Sequence, residues 1–171
     1  MPTESVIFGA GCFWGVEYVF GRVPGVVQTE VGYAGGLTEH PTYRAVCSHT
    51  TAHAEVARVT FDPQVVSFEQ LLEVFWEMHD PTQVDRQGPD VGDQYRSAIF
   101  VGSDEQRAVV EISKAKAQER FDRQVATEIV QAGAFWPAED YHQRYYDKNG
   151  HKPYCHAVPW RKLEELGLVR A

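Results

Sequence analysis

The sequence has no long apolar run, no basic cluster and few cysteines among its 171 residues. No stretch approaches the roughly 18 apolar residues of a membrane span, and the first residues lack the basic and apolar regions of a signal peptide. The net charge is −8 without a basic face at helical spacing, so neither nucleic acid nor an anionic membrane is an expected partner. These absences predict a cytoplasmic protein.

Only three cysteines are present, Cys12, Cys47 and Cys155, and no two of them form a Cys-x-x-Cys pair. In a reducing compartment such scattered cysteines are seldom a structural disulfide framework, and more often they are buried, bind metal or take part in redox chemistry. The spacing lacks the usual signatures of a zinc ribbon and of a thioredoxin. Two roles stay open for Cys47: a buried residue that only fills space in the core, or a back-up resolving thiol, which would form a disulfide with another oxidised cysteine.

The composition, with 43% apolar and 23% charged residues, is that of an ordinary globular protein. A chain of this length buries enough surface for one core, and no repeat, low-complexity block or linker divides it. We therefore expect one domain over residues 1–171, acting as a monomer.

The apolar patterns predict the order β-α-β-β-α-β-α-β followed by a tail rich in Pro, Gly and His. Two consecutive strands argue against a doubly wound fold and favour an α+β fold with helices on a mixed or antiparallel sheet. The segments at 34–52 and 80–94 are predicted to be long loops, which in compact domains are usually functional or disordered. Strands are predicted at 5–10, 27–33, 55–61, 97–101 and 125–130, and helices at 12–20, 67–78, 103–120 and around 138–146.

The motif Gly-Cys-Phe-Trp-Gly at 11–15 stands between the first predicted strand and the first predicted helix. At a helix N-terminus the unpaired N–H groups and the macrodipole favour a thiolate, which is the nucleophilic form of cysteine. The two glycines allow another molecule to approach the backbone closely, and Phe13 and Trp14 put aromatic faces beside the sulfur of Cys12. From the spacing alone, a buried cysteine in a tight turn is the alternative.

His53 and Glu55 share one face of the third predicted strand. A carboxyl group near aromatic rings at the mouth of a strand is a candidate general acid. A solvated edge residue is one alternative for Glu55. The other, a zinc deaminase site, needs a downstream Pro-Cys-x-x-Cys motif, whereas Cys155 has no partner three residues on.

Further polar groups suit a substrate pocket. Tyr33 precedes a glycine run at a strand end, and Asp90 and Tyr95 belong to a loop that enters a strand. Their alternatives are a core-covering aromatic residue and an ordinary turn. Cys155 lies in a glycine-bearing tail, where a thiol can reach a distant site as a resolving thiol must, or is simply an exposed thiol.

Together these motifs resemble the peptide methionine sulfoxide reductases of the A type, which take the S epimer of the sulfoxide. The likeness runs from Phe8 to about Cys155, and five motifs in one order are far more specific than any single one. They are Gly-Cys-Phe-Trp-Gly at 11–15, Gly-Tyr-Ala-Gly-Gly at 32–36, His-Ala-Glu at 53–55, Asp90 with Gln-Tyr-Arg-Ser at 94–97, and Tyr-His-Gln at 141–143.

The resemblance implies an α+β, ferredoxin-like two-layer core with a long C-terminal coil wrapped over it. It implies thiol-dependent reduction of methionine sulfoxide, protein-bound or free, with Cys12 as nucleophile and Glu55 as proton donor to the sulfoxide oxygen. It also implies that Cys155 resolves Cys12 as a disulfide, which thioredoxin, or dithiothreitol in vitro, then reduces, without any bound metal, flavin or nicotinamide. The substrate-binding residues implied are Tyr33, Asp90 and Tyr95 around the oxygen, and Phe13 with Trp14 around the S-methyl group.

The chain departs from the family pattern at two places. Many relatives have glycine where this chain has His49 and Ala52, which puts the shape of the loop before Glu55 in question. Only one cysteine follows the aromatic tail, where some relatives have two, so a second disulfide relay is not expected.

Two other functions stay as alternatives. A cysteine hydrolase would need a hydrogen bond between Cys12 and a histidine such as His53 or His142, together with oxyanion donors. It would leave Cys155 without a role. A non-enzymatic, acidic peptide-binding module would use the aromatic tail as its groove.

Overall fold

A six-stranded mixed sheet forms the centre of the fold in this computed structural model, which describes residues 2–150 and 156–170. The strands are β1 (Glu4–Ala10), β2 (Val26–Ala34), β3 (Ala54–Phe61), β4 (Arg86–Gln87), β5 (Asp90–Val91), β6 (Ser97–Val101), β7 (Glu128–Gln131) and β8 (Phe135–Pro137). The sheet order is β7-β6-β1-β3-β2-β8, while β4 and β5 form a separate hairpin. All neighbours in the large sheet are antiparallel except β6 and β7, which are parallel.

Helices of very different lengths accompany the strands, and the last two follow β8. They are α1 (Phe13–Phe20), α2 (Tyr43–Cys47), α3 (Phe68–Met78), α4 (Asp104–Gln118), α5 (Tyr145–Asn149) and α6 (Trp160–Glu165), with short 3-10 turns at Asp93–Tyr95 and Asp140–His142. No helix within the two described ranges is long and apolar enough to cross a membrane. The helix predicted at 67–78 is present as α3, and a capping box of Ser67 and Gln70 starts it.

The main core lies on one face of the sheet. Phe8 of β1 stacks on Phe20 of α1 and on Phe75 of α3, with ring centroids 4.6 and 5.2 Å apart. Because side chains alternate across a strand, Ile7 belongs to a second, smaller cluster made of strand residues only. Helices on one face of a mixed sheet confirm the α+β prediction. The finer ferredoxin-like description stays a prediction.

The last predicted strand begins later than the sequence pattern indicates. Residues 125–127 are apolar or β-branched, but the backbone N–H of Val125 donates to the side chain of Gln118, and that of Ala126 donates to the carbonyl of Pro81. These groups are therefore satisfied outside the sheet, and β7 starts at Glu128.

After β8 the chain packs against α1 through α5, and its local structure differs from the single helix predicted around 138–146. Arg144 has a φ of 51°, in the left-handed region, so the chain breaks between the 3-10 turn Asp140–His142 and α5. The three-residue strand β8, at the edge of the sheet, is absent from the prediction. Its last residue, Pro137, is tolerated because an edge strand has one unpaired side.

Candidate active site

Cys12 is the N-cap residue of α1 and follows β1 after one glycine. Its carbonyl accepts hydrogen bonds from the N–H groups of Gly15 and Val16, at 3.1 and 3.3 Å, so the helix begins at this residue. The side chain is partly exposed. The structure thus places Cys12 at a helix N-terminus, where a thiolate is favoured, as the sequence predicts.

Glu55 lies beside Cys12 at the centre of the sheet. It is buried on β3, opposite Tyr33 of β2. Its Oε1 accepts a hydrogen bond from the backbone N–H of Phe13, the residue after Cys12, at 3.2 Å. The candidate acid and the candidate nucleophile therefore lie close together at the first turn of α1, although Glu55 belongs to β3 and Cys12 follows β1.

Asp90 of β5 and Tyr95 of the 3-10 turn that follows it approach the same place from the segment before β6. Burial raises the pKa of the Tyr95 hydroxyl, and so does the repulsion that its phenolate form would meet from the ionised forms of Glu55, Asp90, Cys47 and Cys12. The phenol is therefore a neutral hydrogen-bond donor at physiological pH, among groups predicted to surround a sulfoxide oxygen.

The structure brings a second tyrosine, Tyr43, to this cluster, which sequence reasoning missed. Burial raises the pKa of its hydroxyl, and so do the charge of Glu55 and a hydrogen bond to Cys47. Tyr33, which the resemblance implies, is fully buried and its hydroxyl donates to Glu139 at 2.9 Å. Its place around the substrate oxygen stays a prediction.

Cys47 forms part of the wall of this site. Its Sγ accepts a hydrogen bond from Nε2 of Gln94 at 3.5 Å and another from Tyr43. Burial raises the pKa of the thiol, despite these hydrogen bonds, and the charge of Glu55 raises it further. Cys47 is therefore a protonated, half-buried thiol next to the candidate acid, and both of its predicted roles stay open.

Aromatic rings form the other side of the site. Phe13 is buried, and its ring centroid lies 5.1 Å from that of His142. Trp14 stacks on Tyr145 of α5 at 3.6 Å, and its Nε1 donates to Nδ1 of His142 at 2.9 Å. Burial lowers the pKa of His142, which is consistent with a neutral ring that accepts this bond. The tail thus orients the indole predicted to contact the S-methyl group.

The two histidines considered for a hydrolase have other partners. Nδ1 of His53 accepts from the N–H of Gly36 at 3.0 Å, and Nε2 lies 2.7 Å from the carbonyl oxygen of Thr38. Nδ1 of His142 is bonded to Trp14, as described above. Nε2 of His142 is buried and has no hydrogen-bond partner among the described residues, so neither histidine is hydrogen-bonded to Cys12. Residues 2–150 and 156–170 also hold no group of three His, Cys, Asp or Glu side chains suited to a metal ion.

At the two positions where the chain departs from the family pattern, the backbone has a conformation typical of glycine. His49 and Ala52 have φ values of 63° and 59°, in the left-handed region that glycine adopts most easily. This left-handed conformation costs about 1–2 kcal/mol for each residue with a side chain.

Replacing Ala52 with glycine should relieve this strain. We expect Ala52→Gly to raise the free energy of unfolding by about 1 kcal/mol, measured by urea denaturation. Ala45→Gly is the matched control, because Ala45 lies within the helix α2 and the same change should there destabilise by about 1 kcal/mol. A loss of stability in Ala52→Gly would contradict the strained conformation.

The fold and this cluster define a class of enzyme: a cysteine at a helix N-terminus, faced by a buried carboxyl group and neutral phenols, suits thiol-based redox chemistry. The family model described as peptide methionine sulfoxide reductase matches residues 4–168. The chain belongs to this family.

Individual relatives agree over most of the chain. A peptide methionine sulfoxide reductase MsrA of Methanothermobacter thermautotrophicus is 57% identical over 148 residues, covering 85% of this chain and 88% of the relative. The reduced form of Mxr1 from Saccharomyces cerevisiae is 35% identical with a TM-score of 0.85, covering 90% and 89% of the two chains. Methionine sulfoxide reductase A of Corynebacterium diphtheriae is 42% identical with a TM-score of 0.79, covering 89% and 78%.

Proposed function

We propose that the protein reduces methionine-S-sulfoxide, in oxidised proteins and as the free amino acid, to methionine. The observation that carries this proposal is the hydrogen bond from the N–H of Phe13 to Glu55, which holds a buried carboxyl group at the same helix turn as Cys12. Membership of the family gives the substrate class.

The chemistry needs both groups. The sulfur of a sulfoxide is electrophilic, but its oxygen is a poor leaving group until it is protonated. Cys12, as thiolate, attacks this sulfur while Glu55, as acid, protonates the oxygen. The sulfoxide gains two electrons and leaves as methionine, and Cys12 loses two electrons and is left as a sulfenic acid that carries the oxygen.

The walls of the site explain how a sulfoxide is oriented. The hydroxyls of Tyr95 and Tyr43 have pKa values raised mainly by burial, so they stay neutral and can donate hydrogen bonds to the sulfoxide oxygen. Asp90 and Tyr33 complete this polar side in our proposal. The rings of Phe13 and Trp14 receive the S-methyl group on the other side.

Recycling requires a second thiol, and we assign it to Cys155, which lies outside the described residues. Its thiol condenses with the sulfenic acid of Cys12, forming a disulfide and releasing water. A dithiol protein such as thioredoxin then reduces the disulfide. The yeast relative Mxr1 has also been solved in complex with Trx2, which supports a thioredoxin as the reductant here. We further propose a cytoplasmic monomer of one domain that needs no bound cofactor.

Replacing Cys155 with serine tests the recycling step. Cys155→Ser should still release about one methionine per enzyme in a burst, because attack by Cys12 needs no second cysteine. It should then stall with thioredoxin as the only reductant, since thioredoxin acts best on a disulfide, and dithiothreitol should partly rescue it. The measurement is methionine released against time with each reductant.

The same experiment distinguishes the two candidate resolving thiols. Sustained thioredoxin-driven turnover by Cys155→Ser, together with a Cys12–Cys47 disulfide in the peptide map, would contradict the assignment and give the role to Cys47.

A further inference from the structure

The two glycines that flank Cys12 and its aromatic neighbours make room for the chain's own tail. A Cβ atom built on Gly15 would lie 2.3 Å from Nδ1 and 2.7 Å from Cε1 of His156. One built on Gly11 would lie 3.2 Å from Nε2 of the same ring and 2.9 Å from the side chain of Gln87. A side chain at Gly15 would therefore displace the imidazole, and one at Gly11 would crowd it.

A hydrogen bond fixes the ring in this niche, the space beside Gly11 and Gly15. Nε2 of His156 lies 2.6 Å from the carbonyl oxygen of Ala10, the last residue of β1. Since a carbonyl only accepts, Nε2 carries the proton and donates it. His156 is buried, with 6% of its surface exposed. The imidazole is thus held between the end of β1 and the first turn of α1. Its hydrogen-bond partner, Ala10, lies two residues before Cys12.

The chain that precedes residues 151–155, which the structure does not describe, is also attached to α1. Tyr145 of α5 stacks on Trp14 of α1. The chain is therefore attached near the start of α1 both before and after residues 151–155, by Tyr145 and by His156, and one peptide bond joins Cys155 to His156. Consecutive Cα atoms are about 3.8 Å apart, so this anchor shortens the tether of Cys155 to the minimum that a chain allows.

We infer that His156 is a positioning residue for the second half of the reaction, and that Gly11 and Gly15 are its docking site. This inference rests on the proposed role of Cys155 as the resolving thiol. Anchoring its neighbour beside Cys12 raises the effective concentration of the resolving thiol at the sulfenic acid, because the condensation becomes intramolecular over a short tether. His156 itself touches neither the substrate nor the reacting sulfurs in this role.

Loss of the anchor should separate the two halves of the reaction. In His156→Ala we expect the first methionine to be released at close to the wild-type rate, while formation of the Cys12–Cys155 disulfide slows on the order of tenfold. Both rates come from one rapid-quench experiment, with methionine measured in the supernatant and the disulfide measured by mass spectrometry of alkylated peptides. Turnover with thioredoxin should fall, and turnover with dithiothreitol, which reduces the sulfenic acid directly, should fall less.

Two further variants test the docking site. His156→Gln should restore part of the rate of disulfide formation, because its amide N–H can reach the carbonyl of Ala10. Gly15→Ala should slow disulfide formation by displacing the ring, and should cost little more when combined with His156→Ala, since the clash is then gone.

The outcomes separate this inference from the proposed function. Disulfide formation at the wild-type rate in His156→Ala, or an equal loss of the methionine burst and of disulfide formation, would overturn the positioning role alone. Absence of any Cys12–Cys155 disulfide in the wild-type protein would overturn the recycling step and this inference with it.

Discussion

Replacing Cys12 with serine should abolish reduction of methionine sulfoxide. A serine hydroxyl near neutral pH is a far weaker nucleophile than a thiolate at a helix N-terminus, and no sulfenic acid can form on its oxygen. The measurement is methionine released with dithiothreitol as reductant, which removes any dependence on Cys155. We expect activity below about 1% of wild type, in line with the loss of an essential nucleophile.

The same chemical change elsewhere provides the control for this result. Cys155→Ser removes a thiol but leaves Cys12, so it should keep the burst of one methionine that Cys12→Ser lacks. Activity of Cys12→Ser above a few per cent would remove Cys12 from the role of nucleophile.

Replacing Glu55 with glutamine should slow the first step by roughly 10²-fold or more, the usual scale for losing a general acid. The glutamine side chain oxygen can still accept the hydrogen bond from the N–H of Phe13, so the variant removes the proton while keeping the contact. The single-turnover rate of methionine release should be measured across pH. The deficit should shrink as the pH falls, because hydronium then supplies part of the missing proton.

Glu17 offers a matched control for this substitution. It is also buried, and it accepts hydrogen bonds from the hydroxyl of Thr29 and from the N–H of Arg144, away from Cys12. Burial raises the pKa of Glu17, so a neutral glutamine suits its surroundings. Glu17→Gln should leave the first step close to the wild-type rate. An unchanged single-turnover rate in Glu55→Gln would show that Glu55 has only a structural role.

The strands and the helix that carry Cys12 and Glu55 could be predicted from local sequence. The short apolar run of β1, the alternation in β2 and the helical spacing after Cys12 are clear local signals, and they fix which end of each element carries the chemistry. Placing Cys12 at the start of α1 and Glu55 at the start of β3 followed from these patterns. The hydrogen bond from Phe13 to Glu55 depends on the pairing of β1 with β3, which the sequence order alone did not reveal.

The parts of the site that sequence reasoning missed depend on tertiary contacts. Tyr43 and Cys47 lie on the one-turn helix α2, inside a stretch predicted as loop, because five residues give too short a period to detect. Thr42, whose side chain accepts from the N–H of Ala45, was a visible capping signal. The niche of His156 joins residues 146 positions apart, and no local pattern marks such a pairing.

Mass spectrometry of Cys12 after one turnover tests the central claim most directly. The Cys155→Ser variant is mixed with one equivalent of methionine sulfoxide and a dimedone-type reagent that reacts with sulfenic acids, and its peptides are then mapped. The proposed mechanism predicts that the label appears on Cys12, in an amount equal to the methionine released, and that Glu55→Gln in the same background slows both together. Release of methionine with no label on Cys12, or with the label on Cys47, would contradict it.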